Sequence, residues 1–174
     1  GGRGDDTLKG GLGQDTLDGG SGNDTADYSD FNQSSDRLHI ELDADEQVNL
    51  ENGAPGDNLI NIENIIGSAG SDFLKGNNQA NLIQGGGGND TLDGGRNNDT
   101  LSGNAGNDKI RGDHGDDLIA GGDGDDTIDG GGGDDTAWYN GMRSDYALVF
   151  NVDGSLTVSD LREVPAIYQN GGSG

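Results

Sequence analysis

Gly85-Gly86-Gly87-Gly88-Asn89-Asp90-Thr91-Leu92-Asp93 and Gly121-Gly122-Asp123-Gly124-Asp125-Asp126-Thr127-Ile128-Asp129 obey one nine-residue frame, G-G-x-G-x-D-x-(apolar)-x. Outward from them the frame runs through eight consecutive repeats, starting at Gly67, Gly76, Gly85, Gly94, Gly103, Gly112, Gly121 and Gly130. Three more open the chain at Gly1, Gly10 and Gly19. The sixth slot holds Asp6, Asp15 and Asp24, then Asp72, Asn81, Asp90, Asp99, Asp108, Asp117, Asp126 and Asp135. The eighth holds Leu8, Leu17 and Ala26, then Leu74, Ile83, Leu92, Leu101, Ile110, Ile119, Ile128 and Ala137. Two residue classes kept in register over this length define a solenoid, in which stacked repeats bury a core that no single repeat could bury alone.

Glycine at slots one, two and four permits positive φ and close backbone approach, so the first six residues are expected to turn. The last three are expected to form a strand whose central residue points inward, and two repeats close one coil. Same-side turns then stack at the strand spacing of ~4.8 Å. Asp72, Asp90, Asp108 and Asp126 fall in one ladder, and Asn81, Asp99, Asp117 and Asp135 in the other. Calcium–oxygen bonds of about 2.3–2.6 Å are half that spacing, so one ion fits between successive turns. Carboxylates and turn carbonyls are hard oxygen donors, a set that suits calcium and not zinc. The expected ligands are the sixth-slot aspartates, with main-chain oxygens at Gly85, Gly86, Gly88, Gly103, Gly106, Gly112, Gly115, Gly121, Gly122 and Gly124. Eight repeats would form about six interior sites if each ion joins alternate repeats. The repeat at Gly76, with Gln79 at slot four and the neutral Asn81 at slot six, is expected to bind weakly or not at all.

The fold class expected is all-β, a parallel β-roll with flanking strands and a C-terminal hairpin. Residues 1–27 form the first block and 67–138 the second. Between them, residues 28–66 alternate apolar positions (Leu38, Ile40, Leu42, then Val48 and Leu50) and read as short strands around a loop at 52–57. Residues 139–174 hold two alternating stretches, 146–152 and 155–161, across Asp153-Gly154, a hairpin signal. A solenoid needs its last coil covered, and this hairpin is the expected cap.

Composition restricts the function. The chain has 174 residues, 36 of them Gly, with 33 Asp and Glu against 9 Lys and Arg, and a net charge of −24. Only 28% of residues are hydrophobic, a balance that gives disorder unless something neutralises the charge. Nucleic acid is excluded as a partner, because phosphates would be repelled. Cysteine is absent, so disulfide stapling and thiol chemistry are excluded. No stretch reaches the ~20 apolar residues of a membrane helix, and the start does not read as a signal peptide. Glycine at both ends is expected of a module belonging to a longer chain.

Over residues 1–27 and 67–138 the sequence resembles the calcium-binding repeat domains of RTX (repeats-in-toxin) proteins of Gram-negative bacteria. Ala26-Asp27-Tyr28-Ser29, Asn61-Ile62-Glu63-Asn64-Ile65-Ile66-Gly67-Ser68 and Tyr139-Asn140-Gly141-Met142-Arg143-Ser144-Asp145-Tyr146 are similar to segments flanking such blocks. The resemblance implies a β-roll holding several calcium ions, type I secretion, folding triggered by calcium outside the cell, and a covalently linked effector domain elsewhere in the protein. The alternative is a polysaccharide-binding or adhesion module on the same scaffold.

Other readings are weaker. Fifth-slot residues such as Asp116, Asp125 and Asp134 are expected to favour the turn rather than bind metal. Seventh-slot threonines are read as strand formers, and Trp138, Tyr139 and Phe150 as the core of the cap. Arg3-Gly4-Asp5 and Arg111-Gly112-Asp113 spell an adhesion tripeptide, but the frame already demands their glycines. Residues 43–48 begin like an EF-hand loop and lack its later glycine and glutamate. Neither His39 nor His114 lies beside a nucleophile motif, so no catalytic constellation emerges and the expectation is a non-enzymatic module.

Overall fold

A computed structural model describes residues 1–42, 49–50, 56–139, 146–150 and 156–160. The residues at 43–48, part of the loop at 52–57, the hairpin turn at Asp153-Gly154 and the tail after 160 lie outside that set.

The eighth-slot residues do what their spacing predicts. Leu74, Leu92 and Ile110 stack along one sheet and Ile83, Leu101 and Ile119 along the facing sheet, and together they form one buried core, each at most 2% exposed. Parallel strands carry them, pairing each repeat with the second one after it: Leu92 lies opposite Ile110, and Leu101 opposite Ile119. One sheet contains, in order, Thr7–Leu8, Thr25–Asp27, Asn64–Ile66, Leu82–Gly87, Thr100–Ala105, Leu118–Asp123 and Thr136–Ala137. Strands of both repeat blocks therefore stand in a single sheet. The opposing sheet runs through Asn49–Leu50, Leu38–Glu41, Phe73–Lys75, Thr91–Arg96, Lys109–His114 and Asp125–Gly132. The described chain is an all-β parallel roll.

Strands are longer than the three residues expected. Thr91–Arg96 and its neighbours span six residues, continuing through slots one to three of the next repeat. The glycines there pair along the ladder, as Gly86 does with Asn104, so the true turn shrinks to slots four to six. Glycine at slot one has no left-handed backbone; slots two and four do, as at Gly86 (φ 110) and Gly88 (φ 97). Slot one needs glycine for space.

At the C-terminal end, Leu156–Asp160 pairs antiparallel with Asp125–Gly132, and Tyr146–Phe150 pairs antiparallel with Leu156–Asp160. The hairpin caps one sheet edge as expected. Trp138 does not join a cap core: it is 58% exposed, at the end of the other sheet, where its N–H bonds the Ile119 carbonyl. Tyr139 is the ring that packs against the core.

Candidate metal centre

From Asp72 to Asp126 each sixth-slot residue stands just before a strand, or at its start, and the strand's eighth-slot residue is anchored in the core. Its side chain is thereby held at the roll's edge inside the turn, whereas Ala137 after Asp135 is exposed. Asp90, Asp99, Asp108, Asp117 and Asp126 are all at most 2% exposed. Their Oδ1 atoms bind the main chain of the preceding turn. Asp72 N–H donates to Asp90 Oδ1 (2.8 Å), Asp90 N–H to Asp108 Oδ1 (2.7 Å), and Asp108 N–H to Asp126 Oδ1 (3.0 Å). The other edge repeats this from Asn81 through Asp99 and Asp117 to Asp135. Fifth-slot side chains bond in the opposite sense, with Asn107 N–H donating to Asn89 Oδ1 and Asp134 N–H to Asp116 Oδ1. They act as staples between turns, a role beyond the local turn preference expected of them.

The second carboxylate oxygen separates two kinds of turn. Oδ2 of Asp15, Asp24, Asp90, Asp99, Asp108 and Asp117 is buried with no hydrogen-bond partner. In every one of these repeats slot two is left-handed: Gly11, Gly20, Gly86, Gly95, Asn104 (φ 74) and Asp113 (φ 77). Asn and Asp are the non-glycine residues that best tolerate that conformation. Where slot two is not left-handed, its N–H turns inward and satisfies the sixth-slot side chain. Gly2 N–H donates to Asp6 Oδ2, Ser68 N–H to Asp72 Oδ2, and Asn77 N–H to Asn81 Oδ1. Asp72 also accepts from the Ser68 hydroxyl and Leu38 N–H. The Asn81 amide donates to Glu63 O and Asn77 Oδ1, filling with N–H groups the place an ion would take.

At the open turns the unpartnered oxygen faces the slot-one glycine. A Cβ on Gly85, Gly94, Gly103 or Gly112 would collide with Oδ2 of Asp90, Asp99, Asp108 or Asp117 respectively. The same hypothetical Cβ would meet the carbonyl of the next slot-one glycine, Gly103, Gly112, Gly121 or Gly130. One carboxylate oxygen and one carbonyl oxygen thus converge on a space kept clear only by the missing side chain. No three carboxylate or imidazole side chains gather among the described residues. The donor set is one carboxylate with main-chain oxygens, a hard oxygen set that fits calcium. Asp135, at the last turn, is exposed.

Burial shifts these groups. Desolvation, only partly offset by the N–H from the preceding turn and reinforced by neighbouring carboxylates, pushes Asp90 and Asp99 up to about 7 and Asp108 up to about 6. Asp72 and Asp117 move upward for the same leading reason. A carboxyl raised in the folded state binds its proton more tightly there than in the unfolded chain. Its contribution is fully present below the ordinary value of 3.8 and is lost as pH rises through the folded value near 7. In chelator, the circular dichroism signal of the roll is therefore expected to be larger near pH 4.5 than at pH 8. A metal-free signal that grows with rising pH would contradict the burial of these carboxylates.

Two carboxylates outside the recognised repeats extend the ladders. Asp15 N–H donates to Asp57 Oδ1 (2.9 Å), and Asp24 N–H to Glu63 Oε2 (2.8 Å). Asp57-Asn58-Leu59-Ile60 mimics slots six to nine, with Asn58–Ile60 pairing parallel to Thr16–Asp18. Glu63 stands at slot six of the register that leads into Gly67, and Ile65 at slot eight is buried. The turn between these strands is compressed to Asn61-Ile62-Glu63, with Asn61 left-handed (φ 51). That shortening, together with the loss of glycine, hid the two residues from a nine-residue reading. The legible signal was the D-x-(apolar) triplet at Asp57 and the unbroken register from Glu63.

Residues 1–26, 66–101 and 102–137 match the RTX calcium-binding nonapeptide repeat, in four copies. No curated protein matches the chain.

Proposed function

The chain belongs to the RTX calcium-binding nonapeptide repeat family, and on that premise we propose that it is the calcium-triggered folding module of a secreted protein, stabilising an attached effector domain. The observation that carries this reading is the row of buried, unpartnered Oδ2 atoms at Asp90, Asp99, Asp108 and Asp117. A buried anion without a partner is strongly unfavourable. In these positions Asp90, Asp99, Asp108 and Asp117 would hold calcium, with the carbonyls of Gly103, Gly112, Gly121 and Gly130 facing the same spaces. Calcium supplies the charge neutralisation and the cross-link between successive turns.

Asp72, Asn81 and Asp6 would not ligate, since each side chain already accepts the slot-two N–H. Low calcium inside the cell would leave the chain loose and exportable, and higher calcium outside would close the roll. Titration calorimetry tests the reading: roughly four or more calcium ions per chain are expected, with magnesium failing because its ~2.0–2.1 Å octahedral demand does not match these stations. Absence of calcium binding, or equal binding of magnesium, would refute it.

A further inference from the structure

Resting on the calcium reading, we infer that the irregular segment 57–63 completes two further ion stations in the first block and thereby joins the two repeat blocks through bound metal. Three repeats alone leave Asp15 and Asp24 without a following turn. The structure supplies that turn from outside the repeat frame.

At the Asp24 station the two oxygens that face the slot-one glycine, a carboxylate Oδ2 and a main-chain carbonyl, are those of a regular turn. Asp24 is fully buried and its Oδ2 has no partner. A Cβ on Gly19 would meet Asp24 Oδ2 and the carbonyl of Asn61, as a Cβ on Gly103 would meet Asp108 Oδ2 and the carbonyl of Gly121. Asn61 thus stands where the next slot-one glycine stands elsewhere. Glu63 takes the place of the next aspartate, accepting the Asp24 N–H. Its extra methylene relative to Asp suits a turn that reaches its sixth slot with fewer residues.

The Asp15 station is built differently. A Cβ on Gly10 would meet Asp57 Oδ2 at 2.5 Å and Asp15 Oδ2 at 3.1 Å. Two carboxylate oxygens therefore face one small space. Asp15 Oδ2 has no partner there. Asp57, 3% exposed, is held by the Asp15 N–H on one oxygen and by the Tyr28 hydroxyl on the other (3.1 Å). One N–H and one hydroxyl hydrogen bond leave most of the negative charge of the two carboxylates uncompensated, and a divalent cation with hard-oxygen preference would compensate it. The Tyr28 hydroxyl, buried beside both carboxylates, positions Asp57 over Gly10.

The experiment counts calcium ions by calorimetry on the whole chain and on Asp24→Asn, Asp57→Asn and Asp108→Asn. Each substitution is expected to remove one ion. The informative case is Asp57, which no repeat contains. If Asp57→Asn keeps the full count while Asp108→Asn loses an ion, the junction station does not exist and the calcium reading of the second block stands. If the unsubstituted chain binds no calcium, the reading itself fails. Terbium luminescence covers the case in which Asp57→Asn misfolds. An ion at Asp15 and Asp57 lies close enough to Tyr28 for tyrosine-sensitised emission, so Tyr28→Phe should remove a large share of it, with an unchanged circular dichroism spectrum. Emission unaffected by Tyr28→Phe would overturn the station.

Discussion

Excess chelator added to the calcium-loaded chain at neutral pH is expected to erase most of its β-sheet circular dichroism, and returning calcium to restore it over a narrow concentration range. The chain carries a net charge of −24. Two charges about 5 Å apart repel by roughly 0.8 kcal/mol even in water's dielectric, and each ladder stacks several such pairs at the strand spacing. Against this, a site at a thousandfold excess of calcium over its dissociation constant contributes ~4 kcal/mol to the folded state. Four such sites together match or exceed the whole stability of a typical domain, about 5–15 kcal/mol. Cooperativity follows from the connectivity: each aspartate lines one station with Oδ2 and orders the preceding turn with Oδ1, as Asp108 does for Asp90. The turns at 67–81, satisfied by Ser68, Asn77 and the Asn81 amide, are expected to hold whatever signal remains. A spectrum indifferent to chelator would mean that the apolar column and the hairpin cap hold the roll without metal.

The sequence made the column and the ladders legible because each is fixed by one residue per repeat. Leu92 and Asp90 need only the period to be placed. What it left hidden depends on peptide orientation. Asp72 and Asp90 occupy the same slot, yet Ser68 in place of Gly86 turns one N–H inward and satisfies the carboxylate locally. Slot two therefore distinguishes closed from open turns, and a side chain alone does not announce this: Asn104 and Asp113 adopt the left-handed form as Gly86 does, whereas Gly2 and Asn77 do not. The junction was hidden for a different reason. Asn61 contributes a carbonyl, which is common to all residues, and Glu63 closes a turn too short for the nine-residue frame.

Gly103→Ala is expected to cost the chain one calcium ion and several kcal/mol of calcium-loaded stability, although it adds a single methyl group. The new Cβ would fall among Asp108 Oδ2 and the carbonyl of Gly121, within the space the two oxygens share. Forcing a methyl into packed surroundings costs about 1–3 kcal/mol, and losing an ion at thousandfold excess costs ~4 kcal/mol more. Gly87→Ala is the matched control. Its Cβ would meet only Ala69, at 3.5 Å and beyond, and its backbone is not left-handed. That change should leave the ion count intact and alter stability by under about 1 kcal/mol, in the stabilising direction if the unfolded chain loses more freedom than the strand. Calorimetric stoichiometry and the thermal midpoint in saturating calcium separate the two variants. Equal behaviour of both would mean that no ion occupies the space in front of Gly103. A loss of one ion at Gly103 alone, with the circular dichroism spectrum of the roll retained, would support an ion between Asp108 and the Gly121 carbonyl, since the packing cost of the methyl group by itself lowers stability without lowering the count.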